Sequence, residues 1–596
     1  MGPSLEKLMD SRFALFRPLG ACFSTLFAVA LLITPYASLH AAVLTNVGPS
    51  ATDRASSYVV TEDATAETGV AVQSLTISGG YALSLDGGHD ATAENANTPQ
   101  GTLQIVGGAL TTENGAATIQ PGTFAAPTLR FGAPAAVTAN ADLTTAAGVT
   151  VAGSQGLVKT GAGLFNVRGT YAVNGLTDVQ EGVLQIKALH NDGDFTFRTA
   201  DTALIRFAGY SGMNGPKTSY SQFTLDRGNY HFAGTNLDVQ DIITIANGVH
   251  VTSEASTTWW FNNSTDTPVG LRFLGGAETT VFGGEGTTEG IILRGRYDDT
   301  FFMDHRGRLE WAPVIHVEAG TTPSGIDVNM LSNFSSSTAY NPGLGGSLAE
   351  FIRKTGPGLM QLSKHAYSTF IIDEGTLQVV ALPNPGQLTH GFIVNDGGML
   401  RGNGWVDGFF YAMPVVDWGS RPVAINSGGR IRGGTIAEPY GTLTVVDSGA
   451  APIRGGGIIQ TLVNGDGQSS SLQGHSFNLL PGPDDPVLLE ILSDPANPLR
   501  LNTPYSLNII SINYPSGAAG ILIDGVYLTP GTTIDPSVYG LISPDIAEFG
   551  DVSLQYIGAN LTLNFMPLSF TVPEPSTALL GGLASLSCCG LLRRRR

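Results

Sequence analysis

A chain of 596 residues is far longer than one ordinary globular domain, and 77 glycines against only 13% charged residues point to an elongated, β-rich body. A formal charge of −19 argues against nucleic acid as a partner, because phosphate contact needs a concentrated basic surface and none is present; divalent cations fit better. The three cysteines, Cys22, Cys588 and Cys589, lie in apolar segments at the two ends, so the body holds neither a disulfide nor a thiolate metal site.

Residues 1–41 carry Lys7, Arg12 and Arg17, then an apolar run over 21–33, then Pro35 and small residues near Ala41 and Ala42. This is the pattern of a Sec-type signal peptide, a substrate for signal peptidase; an uncleaved anchor is the alternative. The signal and the C-terminal tail together hold seven of the 30 basic residues but three of the 49 acidic ones, so the body between them is markedly acidic.

Residues 42–450 read as a β-solenoid. Up to about residue 150 short alternating runs such as Ser74-Leu75-Thr76-Ile77 are separated by glycine pairs, which predicts strands and turns with no amphipathic helix. Residues 156–187 then return, altered, as residues 351–380. Lys159-Thr160-Gly161-x-Gly163-Leu164 answers Lys354-Thr355-Gly356-x-Gly358-Leu359, and Glu181-Gly182-x-Leu184 answers Glu374-Gly375-x-Leu377. Period-two alternation puts Phe165, Val167, Leu184 and Ile186 inside in the first copy, and Met360, Leu362, Leu377 and Val379 in the second. The neighbours Asn166 and Gln378 are expected to face outward. The glycines suit corners at positive φ, and recurrence at this period marks a stacked architecture.

The two copies resemble the autotransporter-associated β-strand repeat, K-T-G-x-G-x-L-x-L followed by x-G-x-L-x-V. That resemblance implies an extracellular right-handed parallel β-helix. The stretch 203–347 continues the rhythm as degenerate rungs, and glycine-rich runs after residue 397 resemble closing rungs that end near Ser448. Over 451–570 proline becomes frequent and the runs suggest antiparallel pairing, which predicts a β cap or small β-sandwich covering the open end of the stack.

Residues 571–596 contain Val572-Pro573-Glu574-Pro575-Ser576, an apolar stretch over 577–592, and Arg593, Arg594, Arg595 and Arg596. They resemble the PEP-CTERM sorting signal. The physical parts agree: a motif a protease could read at the membrane face, an apolar helix marginal for spanning a bilayer, and a basic cluster held on the cytoplasmic side. The resemblance implies a Gram-negative bacterium whose exosortase recognises Pro573-Glu574-Pro575 and removes the tail, so that membrane contact is transient. Cys588 and Cys589 read as small hydrophobes of this helix, with lipidation as the alternative.

Catalytic motifs with local signatures are absent: no H-E-x-x-H, C-x-x-C, P-loop or G-x-S-x-G occurs. The densest charged patch holds Arg296, Asp298, Asp299, Asp304, His305, Arg306 and Glu310. Paired carboxylates there could bind Ca²⁺ or cleave a polysaccharide, against the simpler reading of a solvated loop. Asn464-Gly465-Asp466-Gly467 reads as a turn, and Trp259-Trp260 either packs inside or stacks on sugar rings. The expectation is a non-enzymatic surface or matrix protein, without cofactor or metal, associated with an extracellular polysaccharide. The alternatives are a β-helical polysaccharide lyase or hydrolase using Asp298, Asp299, Asp304 or Glu310, and a sugar-binding adhesin.

Overall fold

The computed structural model describes residues 42–571 except 44–45, 48–56, 68–69, 87–100, 123–125, 191–193, 209–221, 234–236, 240–241, 254–256, 263–268, 284–290, 297–312, 335–350, 364–368, 381–390, 409–422, 448–449 and 514–518. Among the described residues every regular element is a β-strand. Most strands join one long sheet whose ladders are parallel, apart from the short pairing of Gly520–Ile523 with Val526–Tyr527. This is the β-helix-like, all-β body that the repeats predict.

The first repeat shows how the stack is built. Leu157–Thr160 pairs with Gly175–Val179, and Leu164–Val173 pairs with Val183–Leu189; Leu164–Val173 is irregular between Val167 and Thr170, and its two halves lie on separate strands of the preceding coil, Leu143–Thr145 and Thr150–Gly153. Phe165 sits directly on Leu184 and Val167 on Ile186. The two half-motifs are therefore consecutive layers of one corner. In the second repeat the same stacking sets Met360 on Leu377 and Leu362 on Val379.

Between the repeats, Leu237–Val239, Thr257–Asn262, Ile291–Arg296 and Asn333–Phe334 form a four-stranded parallel sheet separate from the long one. Large aromatic side chains pack in this part of the interior. Phe207 and Phe232 stack at 4.7 Å between ring centres, and Trp259 packs edge-on against Phe232 at 5.0 Å and against Phe282 at 5.2 Å. Trp259 is fully buried, so it belongs to the core and offers no face to a sugar.

The expected end of the coil near Ser448 is corrected by the pairing. Parallel ladders continue through Ile458–Val463 with Val487–Ser493 and on to Tyr539–Ile542. The prolines that suggested a boundary fit within this rhythm; Pro452 stands inside the strand Ala451–Arg454 on its half-buried side, paired with Asn478. Antiparallel pairing does appear, as an addition to one side of the stack. A six-stranded sheet runs parallel from Trp405–Gly408 through Thr442–Asp447 and Ser471–Gly474 to Tyr505–Ile512, and then takes on the antiparallel strands Asn560–Phe570 and Ile546–Ile557.

Among the described residues the inward face is mainly apolar. Phe165, Val167, Leu184, Met360 and Leu377 are fully buried, and Ile186, Leu362 and Val379 nearly so, as the alternation requires. Asn166 is half-buried on the outer face, where it accepts from Gln185 Nε2 at 3.1 Å. Gln378 departs from expectation. Only 1% of it is exposed, although its strand keeps register, because other residues cover the outer face there: the Ile436 N–H donates to its Oε1 at 3.1 Å.

Candidate functional site

The residues that recur in sequence converge on two equivalent corners. Lys159 and Lys354 occupy inward positions of Leu157–Thr160 and Phe351–Thr355, and both side chains are fully buried. A buried ammonium must find acceptors. Lys354 Nζ donates to the carbonyls of Thr355 at 3.2 Å, Gly356 at 2.5 Å and Glu374 at 2.8 Å. Lys159 Nζ donates to the carbonyls of Gly161 at 2.5 Å and Glu181 at 2.7 Å. Each lysine thus ties its own turn to the turn of the coil stacked on it.

The glutamate before the second glycine closes the clasp from the other side. Glu374 Oε2 accepts from the Gly356 N–H at 3.1 Å, and Glu181 Oε2 accepts from the Gly161 N–H at 3.1 Å. A third acidic residue comes from the preceding coil. Asp142 Oδ1 accepts from the Leu164 N–H at 2.9 Å, and Asp327 Oδ2 from the Leu359 N–H at 2.7 Å. The second glycine of each Lys-Thr-Gly-x-Gly run donates back to the same coil, Gly163 N–H to the Ala139 carbonyl and Gly358 N–H to the Val317 carbonyl, both at 2.8 Å. The threonines face outward and pair along the stack, Thr160 with Thr138 at 3.0 Å and Thr355 with His316 Nδ1 at 3.1 Å.

Gly182 and Gly375 explain why the glutamate is followed by glycine. Both have positive φ, +69° and +67°. A Cβ on Gly182 would stand 2.7 Å from the carbonyl oxygens of Gly161 and Gly163 and from Lys159 Nζ. On Gly375 it would stand 2.4 Å from the Gly356 carbonyl and 2.7 Å from Lys354 Nζ. The lysine therefore needs the space that a side chain there would occupy.

The electrostatics follow from this enclosure. Burial pushes the Lys159 ammonium down to about 8, against the pull of Glu181 and Asp142, and the Lys354 ammonium down to about 7, against Glu374 and Asp327. A lysine with so low a proton affinity resembles a nucleophile. Lys354, however, has an acceptor for each of its three N–H groups, and no substrate could approach without breaking the turn. The corners are clasps that join coils.

The other sequence candidates fall differently. Asp466 does lie in a turn: the Asn464 side-chain oxygen accepts from the N–H groups of Asp466 and Gln468, and the Asp466 carboxylate meets Asn497 and Arg500, which uses both its oxygens within the chain. The signal segment 1–41, the carboxylates Asp298, Asp299, Asp304 and Glu310, and the sorting residues Val572, Pro573, Glu574, Pro575, Ser576 and Arg593 to Arg596 lie outside the described residues, as does the side chain of Trp260. Among the described residues no group of three or more histidine, cysteine or acidic side chains is placed to hold a metal ion. No helix there is long and apolar enough to cross a membrane.

Alternation identified the interior of these corners, and the repeat itself singled out the lysine, the glycines and the glutamate. The two aspartates escaped notice. They stand 22 residues before Leu164 but 32 before Leu359, because the coil preceding the second repeat is longer, so no fixed spacing links them. In comparisons with known proteins, no protein-family model matches the sequence and no curated protein matches it.

Proposed function

We propose that the chain is a secreted structural or adhesive protein, not an enzyme, whose body is a right-handed parallel β-helix acting as a stiff spacer at the cell surface or in the extracellular matrix of a Gram-negative bacterium. One observation supports this most: parallel ladders pass from coil to coil from Ala42–Val43 to Tyr539–Ile542, with the interior filled by apolar side chains. Such a body presents long outer faces, which suits a rod.

The sequence at the two ends supplies the route. Export through the N-terminal signal, cleavage by signal peptidase, and brief retention by the tail helix would leave Pro573-Glu574-Pro575 exposed to an exosortase. The partner at the destination is an extracellular polysaccharide. The test is C-terminal peptide mass spectrometry on membrane, surface and medium fractions from a host that has an exosortase. The surface form should lack Arg593 to Arg596, and replacing Pro573-Glu574-Pro575 with alanines should leave a longer, membrane-bound precursor. An intact Arg596 on most of the surface protein would overturn the sorting route and favour a permanent tail anchor.

A further inference from the structure

On one outer face of the stack, side chains from successive coils meet in register. Gln378 stands opposite Arg401, and Arg401 opposite Arg432. Arg401 Nε donates to Gln378 Oε1 at 2.8 Å, Arg432 Nη1 to Gln460 Oε1 at 3.1 Å, and Gln460 Nε2 to Glu490 Oε2 at 2.8 Å. The column is thus well bonded on either side of the two arginines and broken between them. Arg401 Nη2 and Arg432 Nε are closed to solvent and have no hydrogen-bond partner among the described residues.

The charges do not balance either. Arg430 lies on the same face of its strand as Arg432 and reaches Glu490 at 3.4 Å, so among the described residues the three guanidinium groups have this one carboxylate near them. Burial, and then the neighbouring Arg432, pull Arg401 down to about 10, with no carboxylate acting to raise it. Two adjacent guanidinium groups with N–H groups both unmet and closed to water are costly, and the shortfall is specific: it lacks an acceptor that carries negative charge.

We propose that Arg401 and Arg432, with Arg430 beside them, form a binding site for an oxyanion of the carboxylate or sulfate type. Planar guanidinium groups stacked one coil apart match the paired oxygens of such an anion. Arg401 and Arg430 are only half-buried, so the site borders solvent; Arg401 Nη2 is closed to solvent, so binding requires the Arg401 side chain to rotate. The chemistry could come from a free anion or from the acidic sugars of a polymer. The site stands on the arginine geometry and does not depend on the export route.

The test is isothermal titration calorimetry on the full chain with sodium sulfate and, separately, with an oligogalacturonate, at ionic strength matched with sodium chloride. Saturable binding is expected, and Arg401→Gln should weaken it at least about tenfold, the effect of losing a charge-assisted hydrogen bond. Arg430→Gln, on a more exposed side chain, provides a second variant if Arg401→Gln fails to fold, and it should also weaken binding. Preferential exclusion of sulfate stabilises any folded chain without saturating, so it cannot imitate this result. Tighter binding of the oligogalacturonate than of sulfate assigns the site to a polymer, and sulfate binding alone assigns it to a small anion. No saturable heat with either ligand, or equal affinity in the wild type and both variants, would overturn the proposal.

Discussion

Lys354 and Glu374 hold each other's turns by opposite ends: the lysine ammonium donates to the glutamate's main-chain carbonyl at 2.8 Å, while the glutamate carboxylate accepts from Gly356, two residues past the lysine, at 3.1 Å. Lys159 and Glu181 repeat the relationship. Removing one side strands groups in the interior. Lys354→Met keeps the length of the side chain but leaves the carbonyls that the ammonium served without a donor, and should cost about 2–4 kcal/mol. Glu374→Ala frees only one N–H and should cost about 1 kcal/mol. Urea midpoints of the two variants would check the order, and a larger loss for Glu374→Ala would show that the carboxylate, not the ammonium, fastens the corner.

The same enclosure predicts a pH dependence with a definite sign. The Lys354 ammonium, ordinarily near 10.5, is pushed down to about 7 by burial. Between those values the unfolded chain holds its proton more firmly than the folded one, so this group makes stability rise with pH across that window. Below pH 7 its contribution is level. Replacing Lys354 with Met should remove that rise, leaving a flatter profile of unfolding free energy from pH 7 to 10. A wild-type profile no steeper than that of Lys354→Met would show that the carbonyls keep the ammonium charged throughout.

Gly182 and Gly467 separate backbone strain from crowding. Both have positive φ, +69° and +81°, but a Cβ on Gly467 would meet nothing within 4 Å, whereas on Gly182 it would meet two carbonyls and Lys159 Nζ at 2.7 Å. Gly467→Ala should cost only the strain of a left-handed residue, about 1–2 kcal/mol. Gly182→Ala adds overpacking against main chain that cannot yield, for about 3 kcal/mol or more. Thermal unfolding of the two variants gives the comparison, and equal losses would mean that the Lys159 corner has slack.

Much of this was legible because it is local or periodic. Period-two alternation placed Val167 and Leu377 inside, and the Glu-Gly pair was visible because it follows its Lys-Thr-Gly partner by one short coil in both copies. What failed to show depends on coils of unequal length. Asp142 and Asp327 reach their turns from preceding coils, and Arg401 and Arg432 meet only because strands far apart in sequence stack in register. The stack also continued past the prolines after residue 450, since a proline on the half-buried side of a strand such as Ala451–Arg454 does not end the coil.

Gln378 shows where alternation stops being a sufficient guide. Val167→Asp and Leu377→Asp each put an unpaired charge among apolar side chains and should cost about 4 kcal/mol or more. Asn166→Asp, on a half-buried outer position, should change stability little. By alternation alone, Gln378 would belong with Asn166. Its amide, however, donates to Gln361 at 2.7 Å and accepts from Arg401 Nε and the Ile436 N–H. Gln378→Leu would leave both of those donors unmet and should cost about 1–3 kcal/mol. The urea midpoints should therefore fall in three steps, with Asn166→Asp near wild type, Gln378→Leu intermediate, and the two inward aspartates lowest. If Gln378→Leu matched Asn166→Asp, water would be reaching that face and the column of side chains from Gln378 to Glu490 would be open along its length.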